Sequence, residues 1–322
     1  MNTRRLGDRQ VSALGFGCWA IGGPFSDTEG KPLGWGEVDD DESIAAVHKA
    51  LDLGVTFFDT ADVYGAGRSE RVLGRALGKH RDEVVVASKW GNVFDEDTKV
   101  LTGADNSVEY MRTAIRATLT RLGTDYLDLY QLHTAPSVAD AEALADAAEE
   151  MVKEGLIRGF AWSTDDPERA AAWAGRPGYV AVQHECSVLH DAPEILDLCA
   201  RHDLASVNRT PLAMGLLGRR DSSRPATGAD IRSAAPEWLR FFTDGVPAAE
   251  WAATVDSLRD ILTSDGRTLA QGALAWLWAR SERTIPIPGF RNVTQAADNA
   301  GALAHGPLRP EQMTEIARLL HG

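Results

Sequence analysis

Positive charge, cysteine and long apolar runs are all scarce in this 322-residue chain, and each shortage closes off a class of function. Lysine and arginine number 33 against 47 aspartates and glutamates, giving a formal net charge of −14 and a pI near 5.0. That sign disfavours nucleic acid and anionic membrane surfaces as partners, because both are held by a basic face. It leaves room for a small anion bound by a few local arginines. The three cysteines, Cys18, Cys186 and Cys199, form no CxxC pair and no zinc-like cluster with histidine. A reduced, cytoplasmic setting with no metal centre is therefore expected, rather than a disulfide-stapled secreted one. No uninterrupted apolar stretch of about 18 residues occurs, so no transmembrane helix is expected. The opening MNTRRLGDRQ ahead of VSALGFGCWAIGG imitates a leader, but Asp8 and the dense glycines spoil the pattern. Nor does any GxGxxG follow a strand in the context of a Rossmann fold.

Short β-branched runs alternate with amphipathic stretches from end to end. Candidate strands fall at 13–18, 55–59, 84–88, 127–132, 156–162, 179–183, 205–208 and 284–287. Between them, DDDESIAAVHKALDLG places acids in a first helical turn and Gly54 as a stop. SVEYMRTAIRATLTRLG and SVADAEALADAAEEMVKEG repeat the grammar, with Ser107 and Ser137 as N-caps and Gly123 and Gly155 after the last turns. Eight evenly spread strand–helix units without a linker predict a (β/α)8 TIM barrel, taken as one domain over 1–322. RRLGDRQVS reads as an N-terminal hairpin, turning at Gly7-Asp8, that caps the barrel floor. Long top-face loops are expected at 19–40 and 209–249, the second with Arg219, Arg220, Ser222, Ser223, Arg224 and Pro225 in a polar stretch.

Three successive candidate strands end in titratable side chains. VTFFDTADVYG delivers Asp59 and then Tyr64, EVVVASKWG delivers Lys89, and YLDLYQLHT delivers His133. Ligands bind at the carboxyl ends of parallel strands, so one site can gather all four. Singly, each has an ordinary explanation: an Asp–Lys ion pair, an aromatic plug, a satisfied core histidine. Together they make a credible proton-handling set: an acid, a phenol, an ammonium and an imidazole. Lys89 is expected to favour phenolate and sharpen the phenol's acidity, and Asp59 to hold Lys89 charged and oriented. Trp19, Trp35 and Trp90 are candidate walls for an apolar pocket, with Trp19, Trp90, Tyr64 and His133 facing substrate.

VTFFDTADVYGAGRSERVLGRAL, VVVASKWG, YLDLYQLH, TPLAMGLL and IPIPGFRNVTQAADN, in this order, resemble the aldo-keto reductases. The resemblance runs from about residue 4 to the C-terminus and implies carbonyl reduction, or the reverse oxidation, with NADPH or NADH, Tyr64 donating the proton to the carbonyl oxygen and His133 hydrogen-bonding that oxygen or the phenol. It implies cofactor contacts from Cys18, Trp19, Asp59, Ser163, Thr164, Gln183, Arg209, Thr210, Pro211, Leu212, Gly215, Gly289, Arg291, Gln295, Asp298 and Asn299. Arg291 is placed to meet an adenosine 2′-phosphate, which favours NADP over NAD. The chain departs from the family at Thr164, where asparagine is usual, and at Arg209, where an aromatic often stacks on the nicotinamide. A cation at 209 is expected to bias binding toward the uncharged, reduced ring. Two other readings stay open: a Schiff-base aldolase using Lys89, and a cofactor-sensing auxiliary subunit like those of potassium channels.

Overall fold

The computed structural model describes residues 3–218, 226, 228–234, 236 and 238–321. The polar stretch Arg219, Arg220, Ser222, Ser223, Arg224 and Pro225 lies outside the described residues. Strands Thr3–Leu6 and Arg9–Ser12 pair antiparallel around Gly7 (φ 62°) and Asp8, forming the expected hairpin. Eight parallel strands follow in one sheet: Phe16–Gly17, Phe57–Asp59, Val85–Trp90, Leu129–Leu132, Phe160–Ser163, Tyr179–Glu185, Ala205–Arg209 and Thr284–Pro286. Gly15 N–H to Pro286 O at 3.0 Å and Gly17 N–H to Pro288 O at 3.0 Å bring the first strand onto the eighth. The fold is a (β/α)8 barrel.

Alternation along the strands sorts the side chains. Phe57, Val85, Ala87, Leu129, Ala161, Ala181, Ala205, Val207 and Ile285 form an apolar cluster inside the barrel, and Leu6 and Val11 of the hairpin close it from below. The intervening residues, among them Phe58, Val86, Tyr130, Trp162 and Val182, join a second and larger core shared with the surrounding helices. Trp276 and Trp278 belong to that outer layer, where Trp278 Nε1 donates to Ala13 O at 2.8 Å.

The helices begin and end where capping chemistry dictates. Asp39 accepts from Glu42 N, Ser107 from Tyr110 N and Ser137 from Asp140 N. Each such cap is worth about 1 kcal/mol. Gly123 (φ 67°) and Gly155 (φ 78°) close their helices in the left-handed region, where glycine carries no Cβ penalty. Five of the eight strands are shorter than expected, the first and the fifth most of all. Regular pairing of the first covers only Phe16–Gly17, and that of the fifth begins at Phe160, with Ile157 making a lone bridge to Leu127.

The top face holds the excursions. The loop over 19–40 contributes Ser26–Asp27 to a three-stranded sheet with Asn92–Asp95 and Val100–Ala104, an insertion after the third barrel strand that the sequence reading did not anticipate. Its other end pairs Trp35 with Asp230, and Ile231 N–H donates to Gly34 O at 2.7 Å. Among the described residues, no helix is long and apolar enough to cross a membrane.

Candidate active site

The apolar layer inside the barrel gives way to polar side chains one alternation higher. Asp59 lies two residues beyond Phe57, Lys89 beyond Ala87, Gln131 beyond Leu129, Gln183 beyond Ala181 and Arg209 beyond Val207. Asp59, Lys89, Gln131 and Gln183 are all buried. Lys89 Nζ donates to Asp59 Oδ2 at 2.6 Å, to Thr60 O at 2.8 Å and to Tyr64 Oη at 3.2 Å. Asp59 Oδ1 accepts from Gln131 Nε2 at 2.8 Å and from Gln183 Nε2 at 2.7 Å. His133 meets the edge of the Tyr64 ring, with centroids 5.8 Å apart. The four residues expected to converge are therefore adjacent.

Local backbone explains how Tyr64 is presented. Asp62, Val63 and Tyr64 form a tight turn after the second strand, and Gly65 (φ 60°) packs on loop 19–40. A Cβ on Gly65 would stand 1.9 Å from Gly22 O, so only glycine fits that crossing. Trp19 stacks on Tyr64 at 5.8 Å and 21°.

Electrostatics differ from the expectation in one respect. Burial raises the Tyr64 pKa above the ordinary phenol value, and the Lys89 cation opposes that rise without overcoming it. Lys89 itself is held protonated: burial disfavours its charge, but Asp59 and the phenol outweigh that effect and raise its pKa. Burial, then the charges of Lys89 and Arg209, push His133 well below its usual range, so the ring is neutral. Asn92 Nδ2 lies 3.2 Å from His133 Nδ1. An amide nitrogen only donates, so Nδ1 accepts and the proton sits on Nε2.

Around this centre runs a cavity of about 1200 Å³ that extends from His133 to Asn299. Its wall includes Trp19, Asp59, Tyr64, His133, Ser163, Thr164, Gln183, Arg209, Thr210, Pro211, Leu212, Gly215, Gly289, Arg291, Gln295, Asp298 and Asn299. Two expected members lie elsewhere. Cys18 is fully buried on the outward face of the first strand, in the core shared with the helices. Trp90 follows inward-facing Lys89 and so points outward, packing on Tyr130 with centroids 6.0 Å apart. Strand parity excludes both from the cavity.

Several residues in and beneath the cavity escaped sequence reasoning. Gln131 stands on an inward position of an expected strand, so parity alone would have found it; Glu185 continues the same parity two residues past the expected end of the sixth strand at 183. Asn92, Arg232 and Trp238 come from excursions whose course depends on distant pairing. Trp238 leans toward Trp19 with centroids 6.5 Å apart, and Arg232 covers Trp35 at 5.0 Å. Arg209 is held by Asp165 and lies 4.0 Å from Glu185, which also binds Arg240 at 2.7 Å. At the far end, Arg291 donates to Glu37 O at 2.8 Å, while its own N–H donates to Gln295 Oε1 at 2.8 Å. Asn292 caps the helix Val293–Gly301.

The aldo/keto reductase family model matches residues 13–321. The chain belongs to the aldo-keto reductase family. It is thereby one of the NAD(P)H-dependent oxidoreductases. Among its relatives is the Schizosaccharomyces pombe aldo-keto reductase yakc [NADP(+)], 30% identical over 311 residues, covering 94% of this chain and 86% of the relative. The holo form of aldo-keto reductase AKR11C1 from Bacillus halodurans superposes with a TM-score of 0.78 at 28% identity, covering 99% of this chain and 96% of that one. An aldo-keto reductase from Klebsiella pneumoniae, solved in complex with NADPH, gives 0.71 at 27% identity, with 99% and 95% covered.

Proposed function

We propose that this aldo-keto reductase reduces aldehydes and ketones to alcohols with NADPH, the proton coming from Tyr64. The carrying observation is the contact of Tyr64 Oη with Lys89 Nζ at 3.2 Å, beside a neutral His133, in the wall of a large cavity.

The cavity residues fit a dinucleotide. Its volume exceeds the range of roughly 300–1,000 Å³ common for small-ligand sites. Among the described residues Thr210 Oγ1 is buried without a hydrogen-bond partner, and Thr210, Ala213 and Met214 all hold positive φ, at 50°, 48° and 56°. Strained backbone clusters at ligand clamps, and a ligand contact would satisfy the unpaired hydroxyl. Thr210, Leu212 and Gly215 would hold the pyrophosphate; Arg291, Gln295 and Asn299 would hold the adenosine end. Ser163 and Gln183 would hold the nicotinamide end. The relative named with NADP(+) and the structure solved with NADPH support the phosphorylated dinucleotide. When bound, the reduced nicotinamide supplies a hydride to the carbonyl carbon.

The chain's own groups then manage the oxygen. His133 Nε2–H orients the carbonyl, Tyr64 transfers its proton to the developing alkoxide, and Lys89 stabilises the phenolate left behind. Asp59 keeps the ammonium aimed at the phenol. The aldolase reading fares worse, because a Schiff base needs a neutral, accessible amine. Lys89 is fully buried, engages three acceptors and is held protonated. The reading is tested by following loss of reduced-nicotinamide absorbance across a panel of aromatic and aliphatic aldehydes. Turnover with NADPH supports it; no turnover with any of them refutes it.

A further inference from the structure

Three buried side chains close a ring beneath the cavity. Gln131 Nε2 and Gln183 Nε2 both donate to Asp59 Oδ1, at 2.8 and 2.7 Å, and Gln183 Nε2 also donates to Gln131 Oε1 at 3.2 Å. The Gln183 carbonyl is left to accept from Ser163 Oγ at 3.4 Å, so its oxygen faces the cavity side. Asp59 Oδ2 is taken by Lys89. Gln131 reaches neither cavity nor substrate; it is fully buried.

An apolar residue would pack this inward position as well as Leu129 packs the layer below, and would leave no polar group to satisfy. The amide is there with both of its ends in use. One end fixes the carboxylate that aims Lys89, and the other fixes which way round Gln183 lies. We propose that Gln131 is a positioning residue that couples the orientation of Gln183 at the cofactor end to the Asp59–Lys89–Tyr64 proton path. This rests on the carbonyl-reductase reading above.

Removing the Gln131 amide has two consequences. Gln183 loses one of its two acceptors and turns more freely, which loosens its hold on whatever occupies the cavity. The Asp59 carboxylate loses a donor, so its negative field on Tyr64 is less dispersed and the phenol holds its proton more tightly. Among the described residues the charges facing Tyr64 are Lys89, Asp59 and Arg209, with the neutral His133 packed against its ring, and none of these is altered by the change.

The test compares wild type, Gln131→Met and Gln131→Glu for NADPH reduction of an aldehyde across pH, for NADPH affinity by fluorescence titration, and for thermal unfolding. Gln131→Met is expected to lose roughly ten- to a hundredfold in kcat, the range for one hydrogen bond to a charged group. Its NADPH affinity should weaken severalfold. Its alkaline limb, where reduction is lost as the phenol ionises, should move to higher pH. Gln131→Glu should act like wild type while the acid is protonated and can donate to Asp59, then lose activity at a new limb above the ordinary carboxylate range. A purely structural glutamine would lower activity without moving either limb. A folded Gln131→Met with wild-type kcat and an unmoved limb overturns the proposal; if that variant does not fold, a Gln131→Glu profile parallel to wild type does so. Wild type that turns over no carbonyl overturns the reductase reading, and this inference with it.

Discussion

Replacing Lys89 by methionine separates the two jobs proposed for the ammonium. In the native barrel Lys89 is fully buried, and its contact with Tyr64 Oη is 3.2 Å long. With an effective dielectric of about 20, attraction between an ammonium and a full phenolate at that distance is about 5 kcal/mol. In a transition state with the proton half transferred, about 2.5 kcal/mol of this is realised, which corresponds to roughly fifty- to a hundredfold in kcat. The same substitution strands the Asp59 carboxylate, which keeps only its bonds from Gln131 and Gln183. Breaking one partner out of a buried ion pair typically costs about 3–5 kcal/mol of stability. Adding Asp59→Asn should recover most of that stability and none of the activity. The measurements are kcat at saturating cofactor and denaturant unfolding for the single and double variants. If Lys89→Met turns over within a fewfold of wild type, the cation does not act on Tyr64 and the proposed proton path is wrong. If the double variant regains activity together with stability, the single variant's loss was one of folding.

Other predictions concern charge and pH. Arg209 is balanced by Asp165 and Glu185, so its expected bias toward reduced cofactor is muted in the native chain. Asp165→Asn should uncover it, weakening NADP+ relative to NADPH by roughly fivefold, ~1 kcal/mol; an unchanged ratio of dissociation constants would remove Arg209 from the argument. His184 is buried and neutral, its pKa pushed by burial to about 4. Unfolding returns it to about 6.5, so the unfolded chain gains the proton first as pH falls. Stability is therefore full above about pH 6.5 and declines by about 3 kcal/mol toward pH 4. Urea midpoints should show a shallower acid decline in His184→Gln, and an identical decline would contradict this.

Much of the architecture was written in local signals. Asp39, Ser107 and Ser137 start helices because their side chains satisfy free N–H groups, and Gly123 and Gly155 end them because only glycine enters the left-handed region cheaply. These are short-range rules, and the structure follows them. Asp59, Lys89 and His133 were legible for a related reason, since a strand's carboxyl end has only one place to go in a parallel barrel. Cys18 and Trp90 were misplaced by ignoring parity, which sends alternate residues to opposite faces. The same rule, applied strictly, would have pointed inward to Gln131 and, carried two residues past the expected end of the sixth strand, to Glu185. Trp238, Arg232 and Asn92 were not legible at all. Their positions follow from long-range contacts such as Trp35 with Asp230, and no local periodicity encodes these.

The central claim is that the Tyr64 hydroxyl supplies the proton beside a bound nicotinamide. It is tested most directly by Tyr64→Phe, which deletes one oxygen and keeps the ring stacked on Trp19. In this variant kcat for aldehyde reduction is expected to fall by roughly 10²–10⁴, the usual worth of a general acid, while NADPH affinity stays within about twofold. A Tyr64→Phe enzyme that reduces the same aldehyde at a wild-type rate would contradict the claim.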